Sequence, residues 1–328
     1  LAVRILMLTR FYLNGQTTHV LELCHALQRK GHNVFLIASR LDHPGYAQWL
    51  KEKGIPFSRT HRPSYLVNNL RVMQFDVIHN HSAHTLEDGL QLSQALQIPL
   101  VATCHYLDFE PLDILGQAHA VVAISDEMAA QLPFPREQIR IVENGVPIPR
   151  FVNLTNRPKA AVVLARVNEA RQRAYAQTVD ILREKGWEVM VAGGWRYPGT
   201  RSLGWTQNPQ LVLERARLVV GTGRAVREGM AAGCAALVLG DMLDGLVTPE
   251  NAAVLRRANF SGRARSMEPT PSNLRQELAK LESSEAGQLM RFSRAYAQEH
   301  FGIDKMATEI VTVYREAAGK GKTGGSVK

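Results

Sequence analysis

The stretch ARLVVGTGRAVREGMAAGCAALVLGD, Ala216–Asp241, decides how the rest of the chain is read. Leu218–Val220 is a short apolar run of the kind that forms a buried strand, and Gly221-Thr222-Gly223 is a turn nearly bare of side chains. Arg224–Ala232 has the composition of a helix, Gly233 is its stop, and Ala235–Leu239 supplies the next strand. A strand, glycine turn, helix and strand in that order aim backbone N–H groups and a positive helix end at an anion such as a phosphate. One turn into the helix, Glu228 stands where a carboxylate could reach a ribose hydroxyl. The same residues also fit a simpler arrangement, a tight turn followed by an Arg224–Glu228 ion pair at i,i+4.

At 328 residues the chain is long enough for two α/β domains, each with its own core. Hydrophobic residues make up 45% and no apolar run approaches membrane-spanning length, which predicts a soluble globular protein. Cys24, Cys104 and Cys234 are scattered in no metal or redox spacing, so a reducing, cytoplasmic setting is expected. The formal charge of +9 suits an anionic partner, either nucleotide phosphates or peripheral contact with an anionic inner membrane face. No basic stretch is interleaved with aromatics, so nucleic acid is not expected. No signal peptide is visible, and the first residue is Leu, which suggests that the natural start is missing.

Taken in order, Arg4–Leu8 opens as a strand and leads through Asn14-Gly15 into a helix, with Thr17 or Thr18 as its cap, ending near Lys30. Gly31 stops it and Asn33–Ala38 is the second strand. A βαβ crossover this short implies a parallel sheet, whose ligands bind at the carboxyl ends of the strands, where Gly15 and His19 belong. Asp76–Ile78, Leu100–Thr103, Ala120–Ile124 and Ile139–Val142 continue the series. His79, Asn80, His81 and His84 cluster after the third strand, but no carboxylate or cysteine completes a ligand set, so no metal is expected. His105 ends the next strand on the ligand-binding edge, beside Cys104, which reads as a small core residue.

Asn144–Pro149 breaks the rhythm, and the polar segment Phe151–Lys159 reads as a linker. Ala161–Leu164, Glu188–Ala192, Leu218–Val220 and Ala235–Leu239 form a second strand series. Arg166 and Arg171 bracket the loop after the first of these and can neutralise a diphosphate, or form a solvated basic turn. Ser272–Leu281, Ala286–His300 and Asp304–Ala318 close the chain as helices. The expected architecture is α/β: two Rossmann-like parallel-sheet domains facing a cleft. The domains are 1–152 and 153–303, with a closing helix, 304–318, that packs back on the first, and a disordered tail, 319–328.

Several motifs in this order resemble the GT-B glycosyltransferases, in particular glycosyltransferase family 4. They are Asn14-Gly15 with His19-Val20 and Gly31-His32; Phe75–His79; Thr103 and His105; Ser125; Asn144-Gly145-Val146; Arg166 with Arg171; Glu228–Gly233; and His300-Phe301 with Tyr314. The resemblance implies transfer of a sugar from a nucleotide-diphosphate sugar as co-substrate to a glycan, lipid or small-molecule acceptor, with retention and no metal or other cofactor. It places Gly15 against the donor diphosphate and His105 near the reacting sugar, sets Arg166 and Arg171 on the leaving diphosphate, and puts Glu228 on the ribose. Gly221, Thr222, Gly223 and Arg224 join the donor site. Eight positions before Glu228, where the family carries an acid that touches the donor sugar, this chain has Val220; Asp241 or Asp244 is a candidate replacement. Three other readings are a nucleotide-sugar epimerase, a non-catalytic nucleotide-sugar binder of the same fold, and a dinucleotide site at Gly221-Thr222-Gly223. The last lacks its third glycine, where Val226 stands.

Overall fold

A computed structural model of the chain describes residues 1–206, 208–282 and 285–323. These residues fall into two compact units, Leu1–Gly145 with the closing helix that starts at Ile303, and Val146–Gly302.

The first unit is a seven-stranded sheet of β1 (Arg4–Thr9), β2 (Asn33–Ala38), β3 (Phe57–Arg59), β4 (Val77–Asn80), β5 (Leu100–Cys104), β6 (Ala120–Ala123) and β7 (Ile139–Ile141). Its order is β3-β2-β1-β4-β5-β6-β7 and every pairing is parallel. The order reverses direction between β1 and β4, which opens a crevice at their carboxyl ends. Asn14, not Thr17 or Thr18, caps the first helix, Gly15–Arg29, by accepting from Thr17 N. Thr17 instead ties the preceding loop, with its hydroxyl bonded to the Tyr12 backbone.

The second unit carries β8 (Ala160–Leu164), β9 (Glu188–Ala192), β10 (Arg201–Gly204), β11 (Leu218–Gly221), β12 (Ala235–Leu239) and β13 (Leu243–Leu246). The order is β10-β9-β8-β11-β12-β13, with the reversal between β8 and β11. Only the β12–β13 pair is antiparallel. Successive strand residues turn to opposite faces, and both faces are buried. Ala161, Val163 and Val220 join one apolar cluster, while Ala160, Val162 and Val219 join the other. This two-sided burial is why the strands read as unbroken apolar runs rather than as alternating ones.

The division between units falls at Gly145/Val146, seven residues before the expected one, and at Gly302/Ile303 rather than 303/304. The segment expected to be a linker is anchored to the second unit instead. Val146 is fully buried and donates to the Phe301 carbonyl. Arg157, also buried, donates to the carbonyls of Asn153 (2.6 Å), Ala216 (2.7 Å) and Ala232 (2.6 Å). A polar sequence here marks a guanidinium that satisfies buried carbonyls, not free chain. The closing helix runs Ile303–Thr323, past the 318 end expected; of the tail, 324–328 lie outside the described residues. Among the described residues no helix is long and apolar enough to cross a membrane.

Replacing Arg157 by Met keeps length but strands the buried carbonyls of Ala216 and Ala232, each costing about 1–3 kcal/mol without a donor. Urea unfolding of Arg157→Met should therefore show a loss of roughly 3 kcal/mol or more. A loss under about 1 kcal/mol would show that the segment does not depend on this clamp.

Candidate functional site

In the first unit the strand ends at the β1/β4 reversal gather histidines. His79 lies in β4, His81 just beyond it, His105 just beyond β5, and His19 on the first turns of the helix that follows β1. His79 and His81 are fully buried, His19 is buried, and His105 is half-buried. Their rings are linked: His81 Nδ1 is 3.0 Å from His105 Nε2, and His81 Nε2 is 3.2 Å from His79 Nδ1. His79 Nδ1 also meets the Tyr314 hydroxyl at 2.6 Å, and His79 Nε2 meets Thr103 Oγ1 at 2.7 Å. Tyr314 comes from the closing helix, so the last element of the chain helps to set the rings at the sheet edge. Gly15 is the exposed first residue of its helix, and its neighbour Gln16 reaches the His81 carbonyl at 2.6 Å. Of the four polar residues from His79 to His84 that were candidates together, Asn80 bonds to the loop that follows it and His84 is exposed.

Burial keeps the cluster neutral. Loss of hydration pushes His79 and His105 down to about 3, and it pushes His81 well below the usual imidazole range, with the neighbouring histidines adding to the effect on His79 and His81. A group of neutral imidazoles offers lone pairs and N–H donors, not positive charge.

In the second unit the candidate donor residues meet at the β8/β11 reversal. Arg166 follows β8 and is exposed. Arg171 lies in the first turns of Glu169–Glu184 and holds Asp241, at the end of β12, by a two-point ion pair of 2.8 and 2.9 Å. That pairing draws the Asp241 carboxyl below its usual range and raises the Arg171 guanidinium. Gly221 ends β11 because a Cβ there would lie 2.5 Å from the Leu164 carbonyl oxygen. Gly223 precedes the helix Arg224–Ala231 with φ +55°, and its N–H is donated to the Phe260 carbonyl at 2.9 Å. This N–H of the glycine turn is therefore already used, and Thr222 O accepts from Ala225 N.

Arg224 and Glu228 form the i,i+4 ion pair at 2.7 Å, with both side chains nine-tenths buried. The simpler of the two sequence readings is thus present, and it is a buried pair rather than a surface one. Next to it, Arg227 is fully buried over the rings of Phe260 and Phe301 and bonds to Asn259, a constellation with no signal in the sequence pattern. Val220 points into the apolar cluster that packs under Glu169–Glu184, so its side chain stands in the core and not at the strand end. Asp244 is no substitute acid: it is buried and accepts from the backbone N–H groups of Gly262, Ala264, Arg265 and Ser266. It holds a loop. Asp241 remains just beyond the strand end, exposed and paired with Arg171.

Residues 13–150 match the family model of Glycosyltransferase Family 4. No curated protein matches the chain. Among solved structures it is similar to a glycosyltransferase from Rickettsia africae (TM-score 0.74, 14% identity, covering 96% of this chain and 98% of that one). It is also similar to HepE from Anabaena in complex with UDP and glucose (TM-score 0.72, 13% identity, 95% and 99%). A third is sucrose-phosphate synthase from Thermosynechococcus elongatus (TM-score 0.64, 15% identity, 96% and 98%). The chain has the fold of the GT-B glycosyltransferases, two Rossmann-like domains, and its first domain carries the family 4 pattern.

The neutral histidines set a pH dependence. Unfolded imidazoles near 6.5 take up protons as the pH falls, while folded His79 and His105 do not until about 3, so stability present above 6.5 is lost progressively below it. Each histidine contributes a slope of about 1.4 kcal/mol per pH unit. Between about pH 6 and pH 5 the free energy of unfolding should fall by roughly 2–3 kcal/mol for His79 and His105 together, read by urea titration at each pH. A flat profile there would mean that the rings are hydrated and charged.

Proposed function

We propose that the chain is a glycosyltransferase that moves a hexosyl group from a nucleotide-diphosphate sugar to a glycan, lipid or small-molecule acceptor, with retention and without a metal. The observation that carries this reading is the match of residues 13–150 to Glycosyltransferase Family 4 on a chain 95% of which is covered by the HepE structure. HepE is known in complex with UDP-glucose.

In this reading the second unit binds the donor at the β8/β11 reversal. Arg166, exposed at the end of β8, meets the diphosphate, joined by Arg171 when the anion competes with Asp241 for its guanidinium. Together they stabilise the charge that grows on the leaving diphosphate, the role of fixed donors aimed at a developing anion. Glu228, ion-paired with Arg224, meets the ribose. In the first unit His105 faces the reacting sugar, its ring set by His81. One observation favours a second reading, a binder without turnover: Val220, at the place of the family's sugar-touching acid, is sealed in the core.

A thermal-shift series with UDP, GDP, ADP and NAD tests the donor site, since a ligand that binds the native state raises its melting temperature. One nucleoside diphosphate should stabilise the chain, and its monophosphate should bind about 10–100-fold more weakly, a difference that Arg166→Ala removes. Equal affinity for both nucleotides would withdraw the diphosphate from Arg166 and Arg171.

Glu228→Gln keeps the volume of the side chain while weakening its acceptor. It should cost about tenfold or more in affinity for the ribonucleotide and nothing for the 2′,3′-dideoxy analogue, by calorimetry. A melting-temperature loss with unchanged affinity would leave Glu228 as a helix residue paired with Arg224. Arg224→Ala is not a neutral control, because it leaves a buried carboxylate without its partner.

A further inference from the structure

At the carboxyl edge of the first sheet, three neighbouring strands bring three guanidinium groups together. Thr9 of β1 stands beside Ala38 of β2, and Ala38 beside Arg59 of β3. The next residues along the first two strands are Arg10 and Ser39-Arg40. They are fixed there by Ser39 N–H, which donates to the Thr9 carbonyl at 2.9 Å, and by Phe11 N–H, which donates to the Arg40 carbonyl at 3.1 Å. Arg40 and Arg59 are exposed and share one carboxylate: Arg40 Nε bonds to Asp42 Oδ2, and an Arg59 guanidinium nitrogen lies 3.7 Å from Asp42 Oδ1. Arg10 is half-buried, its guanidinium 5.5 Å from the centre of the Tyr12 ring. We propose that, on the glycosyltransferase reading above, Arg10, Arg40, Arg59 and the Ser39 hydroxyl bind a phosphate group carried by the acceptor, which makes the acceptor a phosphorylated molecule.

The charges there do not balance. Asp42 answers two of the three cations, and among the described residues no ion pair holds Arg10. The Asp42 carboxyl is held below its usual range first by the hydrogen bond from Arg40, with the charges of Arg40, Arg59 and Arg10 adding to it, so all three cations act on one spot. His84 is pushed down by loss of hydration and then by the charge of Arg10. Arg10 is the residue at which the chain leaves β1 at the β1/β4 reversal, so a phosphate held there lies beside the crevice where His105 ends its strand.

Two buried polar atoms point to the same ligand. Continued one residue past the strands, the alternation of side chains puts Ser39 on the face of Ile37 and Arg10 on that of Leu8, and Ile37 and Leu8 belong to one apolar cluster. On this common face Ser39 Oγ and Arg10 Nε are buried and, among the described residues, have no hydrogen-bond partner. Ser39 as a whole is only 6% exposed. Buried donors normally find an acceptor, and an anion lying across the two strand ends supplies one to both. Phosphate fits better than a carboxylate. Guanidinium groups that arrive from three strands need acceptor oxygens in more than one plane, and each guanidinium fork matches phosphate oxygens in pairs. Asp42, exposed on the solvent side, is then the anion with which the phosphate competes.

The test is a titration of the full chain with inorganic phosphate at fixed ionic strength, read by melting temperature and by calorimetry. It is repeated on Arg166→Ala, so that the anion site of the second unit does not contribute. We expect saturable stabilisation in both. Arg40→Gln combined with Arg59→Gln, two exposed side chains, should weaken phosphate binding about tenfold or more while circular dichroism matches the parent, and Arg10→Gln should do the same. Asp42→Asn, which removes the competing carboxylate, should tighten binding, a gain that a merely structural cluster would not give. Glucose 6-phosphate and phosphatidylcholine vesicles containing phosphatidic acid then identify the source: displacement of phosphate by the first marks a soluble ester, and by the second a lipid headgroup. Absence of a saturable phosphate effect in Arg166→Ala would overturn the site, as would an effect that the arginine variants leave unchanged. Phosphate binding that neither ester displaces would mean an adventitious ion only and would overturn the assignment to the acceptor. Binding is read without donor or turnover, so a chain that binds phosphate esters here but releases no nucleoside diphosphate would fail the functional reading alone.

Discussion

A parallel sheet delivers every strand's carboxyl end to one edge, and where the strand order reverses, two neighbouring connections diverge and leave a crevice between them. Each unit has one such reversal, β1/β4 in the first and β8/β11 in the second. The histidine cluster lies at the first of these places and Arg166, Arg171 and the Gly221-Thr222-Gly223 turn at the second because the topology puts them there. Residues far apart in sequence, such as His19, His81 and His105, or Arg171 and Asp241, become neighbours for the same reason.

That constraint explains what could be read from sequence. The central strands are buried on both faces, so Asn33–Ala38, Glu188–Ala192 and Ala235–Leu239 announce themselves as apolar runs with the bounds that they have in the fold. The edge strands Phe57–Arg59 and Arg201–Gly204 do not, because they are short and polar on an outer face. The antiparallel β13 is hidden by Asp244 and Gly245 within it. The unit boundary was displaced because a run with Pro, Asn and Arg looks like free chain, whereas Arg157 spends its charge on buried carbonyls.

The site was legible in type and less so in arrangement. The strand-end placement of Arg166, His105 and the Gly221-Thr222-Gly223 turn follows from local pattern. The pairing of Arg171 with Asp241 does not, since the two lie 70 residues apart. The same holds for Tyr314, which reaches His79 from the far end of the chain. The Arg224–Glu228 pair was one of two arrangements that its i,i+4 spacing allowed, and what the fold adds is its burial. Position 220, where the resemblance would put an acid, holds a valine that faces an apolar core in which an unpaired carboxylate would be costly.

The central claim is that these two crevices serve transfer from a nucleotide sugar, and release of nucleoside diphosphate tests it most directly. The full chain would be incubated with UDP-, GDP- and ADP-hexoses and a mixed acceptor pool in the presence of EDTA. The account predicts diphosphate release from one donor class, reduced on the order of 100-fold by His105→Ala, the residue that the proposed reading sets beside the reacting sugar. No release from any donor, or release that His105→Ala leaves unchanged, would contradict it.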